Sequence, residues 1–183
     1  LFHAFGWSQM RNHGDLLLRL YGQARGRAAE YWGEGWLESD RWVRTTGIPD
    51  RARQWLDVQA PHVRAWLDAF TDGINQYAEE YGDELSAELL AVLPIEPADV
   101  LAHTQRVIHF TFVTNPDAVA AQVRAWSGRA DAPAPRVPLP AAASNAWAIA
   151  PARTTSGHAI LMANPHLPWD DLYTFFEAQL VSP

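Results

Sequence analysis

In Ala143-Ser144-Asn145-Ala146-Trp147, a small hydroxyl side chain stands where a stretch without hydrophobic period meets a strand-like one. If the chain were opened before Ser144, that hydroxyl would lie beside a free α-amino group. Such an amine has an intrinsic pKa of about 8 and can act as the base for its own hydroxyl. No His or Asp is then required to activate the nucleophile. Before the cut, the same hydroxyl can attack the Ala143 carbonyl and move the acyl group from nitrogen to oxygen. Hydrolysis of that ester would release the amine, and the small Ala143 leaves room for the attack. A Ser in this place is also what an inert strand entry or a plain interdomain linker carries, and spacing alone leaves both readings open.

Other reactive residue types are less suggestive. His103 and His109 do not share a helical face, so they are a poor metal pair and read as core or rim histidines. Gly22 and Gly26 are not followed by Gly-Lys-Ser/Thr, so they do not form a phosphate loop, and close packing explains them better. His166 ends the second apolar run after Ser144, where it could equally be a hairpin-end residue.

Composition bounds the partners. The chain has 183 residues, 48% of them hydrophobic, enough to build a core. Its formal charge is −7 and all 14 cations are Arg, with no basic run, which argues against nucleic acid as the partner. Nine Trp imply large apolar surfaces to bury or a pocket to line. Without Cys there is neither disulfide nor thiolate chemistry. No run approaches the roughly 18 apolar residues of a membrane span, so no membrane partner is expected. The chain opens without Met in mid-pattern and stops at Pro183 just after a strand-like run, and it reads as an internal piece of a longer protein.

The elements that must hold Ser144 are helical before it and β after it. Helical spacing of Leu16, Leu17, Leu20, Tyr21, Ala24, Ala28 and Tyr31 predicts a helix from Leu1 to about Trp32, with Asp15 favouring a first turn and Gly33 and Gly35 stopping it. Residues 38–48 are ambiguous. Pro49-Asp50 opens a helix that Pro61 breaks, and Val63, Trp66, Leu67, Phe70, Ile74, Tyr77 and Tyr81 mark the clearest amphipathic helix, over about 61–81. A short helix at 86–93, a long one starting at Glu96-Pro97-Ala98-Asp99 and running through Phe112, and a last one over about 116–126 complete the region. The stretch from Ser127 to Ala143, with Pro133, Pro135, Pro138 and Pro140, reads as a linker that tolerates cutting. Residues 146–150 and 159–164 form a hairpin around Thr154-Thr155-Ser156-Gly157, and 173–181 is a third strand candidate. Helices segregated before strands define the α+β class.

Ser144-Asn145-Ala146-Trp147, the Thr155-Ser156-Gly157 turn and Met162-Ala163-Asn164-Pro165-His166-Leu167-Pro168-Trp169 resemble the penicillin amidase family, most closely its acyl-homoserine-lactone and lipopeptide acylases. The leading run from Gly6-Trp7-Ser8-Gln9-Met10 to Glu30 is similar to the start of that family's α chain. The resemblance implies an N-terminal-nucleophile (Ntn) hydrolase, a partial αββα sandwich. It would be made as a precursor and cut into an α and a β chain that stay together as a heterodimer. It assigns 1–127 to the helical α-chain region, 128–143 to a spacer and 144–183 to the start of the β chain. Ser144 is then nucleophile and, through its amine, base. Asn145 is its neighbour, and His166 is the residue that hydrogen-bonds the amine. Phe112, Trp147 and Trp169 fall to the acyl pocket, and the cut falls between Ala143 and Ser144.

The resemblance further implies an N-acyl small-molecule substrate, either an acyl-homoserine lactone, a lipopeptide or a penicillin-like amide, with Asn164-Pro165-His166-Leu167-Pro168-Trp169 leaning towards aliphatic acyl groups. It places the protein in the periplasm or outside a bacterium, with oxyanion donors beyond Pro183. No cofactor is required. Some members hold a structural calcium through an α-chain acid, but Asp117 is out of step with that position, so no metal ligand is assigned. Two rivals stay open. One is another Ntn amidase acting on bile salts or cephalosporins. The other is a helical interaction module in which Ser144 is inert.

Overall fold

The computed structural model describes residues 1–127, 143–167, 171–179 and 181. They form two compact units, one of Leu1–Phe110 with the segment from Phe175, the other of Thr111–Thr174. The first unit is helical: α1 (Phe2–Ala24), α2 (Ala28–Trp32), α3 (Leu37–Thr45), α4 (Ile48–Asp57), α5 (Pro61–Tyr81) and α6 (Pro97–Ile108). The second contains α7 (Pro116–Ser127) and an antiparallel pair of strands, β1 (Ala143–Ile149) and β2 (Ile160–His166). The class is α+β.

The helix expected over 1–32 is three pieces. Within α1, His13 leaves helical geometry at φ −144°, ψ 35°. Beside that kink the Asp15 carboxylate accepts hydrogen bonds from the Ser86 backbone N–H at 2.9 Å and from the Ser86 hydroxyl. The chain then breaks at Gly26, whose φ of 64° suits Gly and few other residues. The α2 that follows starts on two bonds from its Ala28 and Ala29 N–H groups to Asp40, each 2.8 Å, so a residue of α3 supplies the cap. In 38–48, Gly47 at φ 68° separates α3 from α4.

Two clusters make the core of this unit. Met10, Leu18 and Tyr21 of α1 meet Phe70, Ile74 and Tyr77 of α5 over Leu89, Val92 and Ile95. Ala24, Val43, Ile48, Ala52, Ala102 and Phe110 form the second. Of the apolar periodicity of α5, Phe70, Ile74 and Tyr77 are buried, while Trp66 and Tyr81 stay exposed. Helices α1 and α5 approach so closely at Gly6 and Gly73 that a Cβ on Gly6 would sit 2.0 Å from the Phe70 carbonyl oxygen.

The unit also buries polar side chains, among them Gln23, Asp99, Gln105 and Arg106. Gln105 accepts from Arg51 at 3.1 Å, Gln23 accepts from Arg106, and Asp99 takes Arg25. His103 lies beside them, its ring edge-on to Tyr21 at 5.7 Å, and its buried Nδ1 makes no hydrogen bond among the described residues. Burial, reinforced by the Arg106 charge, pushes its pKa down to about 4. The neutral ring is therefore the folded form. Above the ordinary value of about 6.5 the group costs nothing. Between there and about 4 the unfolded chain binds a proton that the folded chain refuses, so stability falls with pH and then levels off. We expect His103 to account for about 3 kcal/mol of lost stability between pH 7 and 4. Urea unfolding of wild type and His103→Leu across that range checks this, and equal acid limbs would refute it.

Candidate functional site

The site is built on the β hairpin. Residues 143–149 pair with 160–166 in one register: Ser144 faces Pro165, Asn145 faces Asn164, Trp147 faces Met162, and Ala143 faces His166. The strands are bridged by a longer connection than a tight turn. A single 3₁₀ turn at Pro151–Arg153 leads into Thr154, whose hydroxyl donates to the His158 carbonyl at 2.9 Å, and Gly157 turns the chain at φ 70°. The Pro at position 165 costs the ladder one donor, which an edge strand tolerates.

Opposed residues share a face, and neighbours along a strand alternate. Ser144 therefore lies with Ala146, Ala163 and Pro165, while His166 lies with Asn145 and Trp147 on the other face. The residue between them in the ladder is Ala143, so the backbone nitrogen of Ser144 sits at the His166 end of the strand pair. Among the described residues neither the Ser144 hydroxyl nor the His166 ring forms a side-chain hydrogen bond.

Both faces of the hairpin are exposed, with Leu161 on one face 74% and Met162 on the other 58% open to solvent. Asn145 pairs with Asn164 one step past the nucleophile candidate. Phe112 is placed apart from Ser144 in the chain, on a π-helical turn, His109–Val113, that follows α6, and it is 62% exposed. A π turn inserts an extra residue per turn and often marks a functional position in a helix, which apolar periodicity over 100–112 does not reveal. Trp169 lies outside the described residues. The third strand candidate over 173–181 is not a strand in its described residues: Asp171–Tyr173 form a 3₁₀ turn and 174–179 are irregular. Its apolar composition suits a strand, but a strand exists only through a ladder, and among the described residues β1 and β2 pair only with each other.

The helical unit offers a cleft of about 390 Å³ lined by Arg25, Arg27, Arg53 and Glu96. Its cations are committed: Arg25 to Asp99, Arg27 to Glu30 and Arg53 to Asp50. This arrangement supports the fold, and the Glu96 carboxylate serves the cap of α6 by accepting the Asp99 backbone N–H. Among the described residues no three His, Asp or Glu side chains converge as a metal would need, and no helix is long and apolar enough to cross a membrane.

The sequence resemblance is to the penicillin amidase family, and the ladder sets Ala143 opposite His166. Comparison with known proteins agrees at the level of family: residues 1–183 match the penicillin amidase family, and the chain belongs to it. The chain is 26% identical over 226 residues to acyl-homoserine lactone acylase QuiP of Pseudomonas aeruginosa, an alignment covering 98% of this chain and 27% of that protein. With the QuiP of Pseudomonas fluorescens it shares 23% over 215 residues, covering 90% and 26%. With acyl-homoserine lactone acylase PvdQ of Pseudomonas fluorescens it shares 27% over 169 residues, covering 80% and 21%. The chain thus spans about a quarter of the length of the curated relatives it matches.

Proposed function

We propose that this chain is the part of an N-acyl amide hydrolase that carries its nucleophile, Ser144, and the bond its precursor opens, Ala143–Ser144. The observation that carries this is the place of Ser144: an exposed strand residue directly after a Pro-rich junction, with His166 at the facing end of the ladder, in a chain of the penicillin amidase family. The first reaction is internal. The Ser144 hydroxyl attacks the Ala143 carbonyl, the C–N bond breaks, and the nitrogen takes the hydroxyl proton. Water then hydrolyses the ester and leaves residue 143 as a carboxylate and residue 144 with a free amine.

In turnover the amine accepts the hydroxyl proton while the oxygen attacks the acyl carbon of the substrate. The substrate amine departs with that proton. Water then cleaves the acyl-enzyme by the same route in reverse. His166 holds the amine in place, Asn145 extends the polar end of the strand, and Phe112, Trp147 and Trp169 are the acyl-contact candidates. The names of the relatives favour an acyl-homoserine lactone over a penicillin-like amide as substrate. The α and β chains would remain together as a heterodimer, in the periplasm or outside the cell, with residues 128–143 as spacer.

Intact mass of the full-length protein under denaturing conditions tests the reading. Two chains are expected, the second beginning at Ser144. A single uncut chain, or a second chain beginning elsewhere, would refute it.

A further inference from the structure

Beyond Thr174 the chain packs a ring against the helical unit. Among the described residues beyond Thr174, Phe176 alone is not exposed, while its neighbour Phe175 is 70% open to solvent. The Phe176 ring packs edge-on against Phe5 at 5.7 Å and against His13 at 5.8 Å, both on α1. Phe5 is backed in turn by Phe70 of α5, also at 5.7 Å. The notch coincides with the kink of α1, since His13 is the residue whose dihedrals leave the helix. Two rings one helical face apart, with a local departure from helical geometry between them and the next turn, make a socket that accepts one ring and leaves Phe175 outside.

We propose that Phe176 is the anchor that keeps the chain downstream of the Ala143–Ser144 bond on the helical chain once that bond is opened, its partner surface being the aromatic notch of Phe5 and His13. This rests on the cleavage proposed above. While the chain is continuous, the contact only orders a segment that is tethered anyway. After a cut, the same contact joins two molecules, and its loss acts directly on their association. Edge-on ring pairs favour this geometry beyond the area they bury, and the loss of such a ring corresponds to a dissociation constant raised on the order of tenfold.

The test uses the full-length protein as wild type, Phe176→Ala, Ser144→Ala and the double variant. Denaturing mass first reports whether two chains exist. Native separation in stepped urea then reports where they part. The cut Phe176→Ala protein is expected to release its second chain at lower urea, with retention weakened on the order of tenfold. The uncut Ser144→Ala background has no second chain to release, so its urea unfolding midpoint is followed instead, and the same substitution is expected to shift it less because the tether remains. A role in packing alone predicts equal shifts in both backgrounds and overturns the proposal, as does a cut Phe176→Ala protein that holds together like wild type. An uncut wild type overturns the anchor and the cleavage together, whereas the other two outcomes leave the cleavage standing. If Phe176→Ala does not accumulate in folded form, Phe176→Leu and Phe5→Leu, singly and combined, give the same readout: non-additive losses support the socket and additive ones overturn it.

Discussion

Ser144→Ala in the full-length protein is expected to leave the precursor in one piece and to abolish acyl-amide hydrolysis, with a loss of roughly 10⁴-fold or more in kcat/KM. The size follows from the two roles assigned to one oxygen. Removing it deletes the attacking atom for the internal cleavage and the atom that would carry the acyl group in turnover. It also prevents the amine from ever being released, so the base is lost with the nucleophile. Ser144→Thr and Ser144→Cys keep an attacking atom and separate these effects. They are expected to be cut more slowly and to retain part of the activity in proportion to the cut fraction. If Ser144→Ala is still cleaved before residue 144, an outside protease makes the cut. If it remains active, Ser144 is a strand-entry residue and the nucleophile lies elsewhere. His166 gives a graded control. Its assigned task is to hold an amine that exists only after cleavage, so His166→Gln, which keeps a hydrogen-bonding side chain, is expected to retain more activity than His166→Ala.

The parts of this picture that were legible in the sequence are those fixed by neighbours along the chain. Phe70, Ile74 and Tyr77 repeat at helical intervals because one side of α5 must bury against α1, and Glu96 and Asp99 form a reciprocal cap because both groups lie within one turn. The hairpin was readable from its alternation over 146–150 and 159–164, whereas the pairing of Ala143 with His166 lies outside those bounds. What was not readable depends on distant residues. Asp40 caps α2 from another helix, and Asp15 reaches Ser86 across 71 positions of sequence. The π turn that carries Phe112 leaves no mark in hydrophobic period, because an apolar run satisfies an α and a π turn alike. Residues 173–181 have strand composition without a ladder to join, so their notch partner, α1, was equally hidden. In each case the missing information was the identity of a neighbour, which local patterns do not encode.

Asp99→Asn is expected to destabilise the helical unit by about 3–5 kcal/mol, the range for removing one partner of a buried ion pair. Arg25 and Asp99 meet through two bonds, Nε to Oδ1 at 2.7 Å and Nη2 to Oδ2 at 2.6 Å, with side chains only 16% and 8% exposed. Arg25 also donates to the Val92 and Pro94 carbonyls at 2.6 and 2.7 Å, so one guanidinium ties the end of α1 to the chain entering α6. Burial opposes its charge, yet the Asp99 carboxylate overrides this and holds the guanidinium firmly in its charged form. Asp99 has a second task, because its Oδ2 accepts the Glu96 N–H at 2.7 Å and completes the cap of α6. An Asn fits the same space but has one acceptor oxygen where Asp has two. Whichever way its amide turns, an N–H₂ group faces a donor, either Arg25 Nε or the pair formed by Arg25 Nη2 and the Glu96 N–H. The charge that balanced Arg25 is gone as well. Replacing both residues together, Arg25→Met with Asp99→Leu, removes the uncompensated charge and is expected to cost less than Asp99→Asn alone, although the Val92 and Pro94 carbonyls then lose their donor. Hydrogen exchange of α1 and α6 amides, followed in denaturant, measures the three proteins on one scale. A loss below about 1 kcal/mol for Asp99→Asn would place the pair with surface ion pairs and remove it as the joint between α1 and α6.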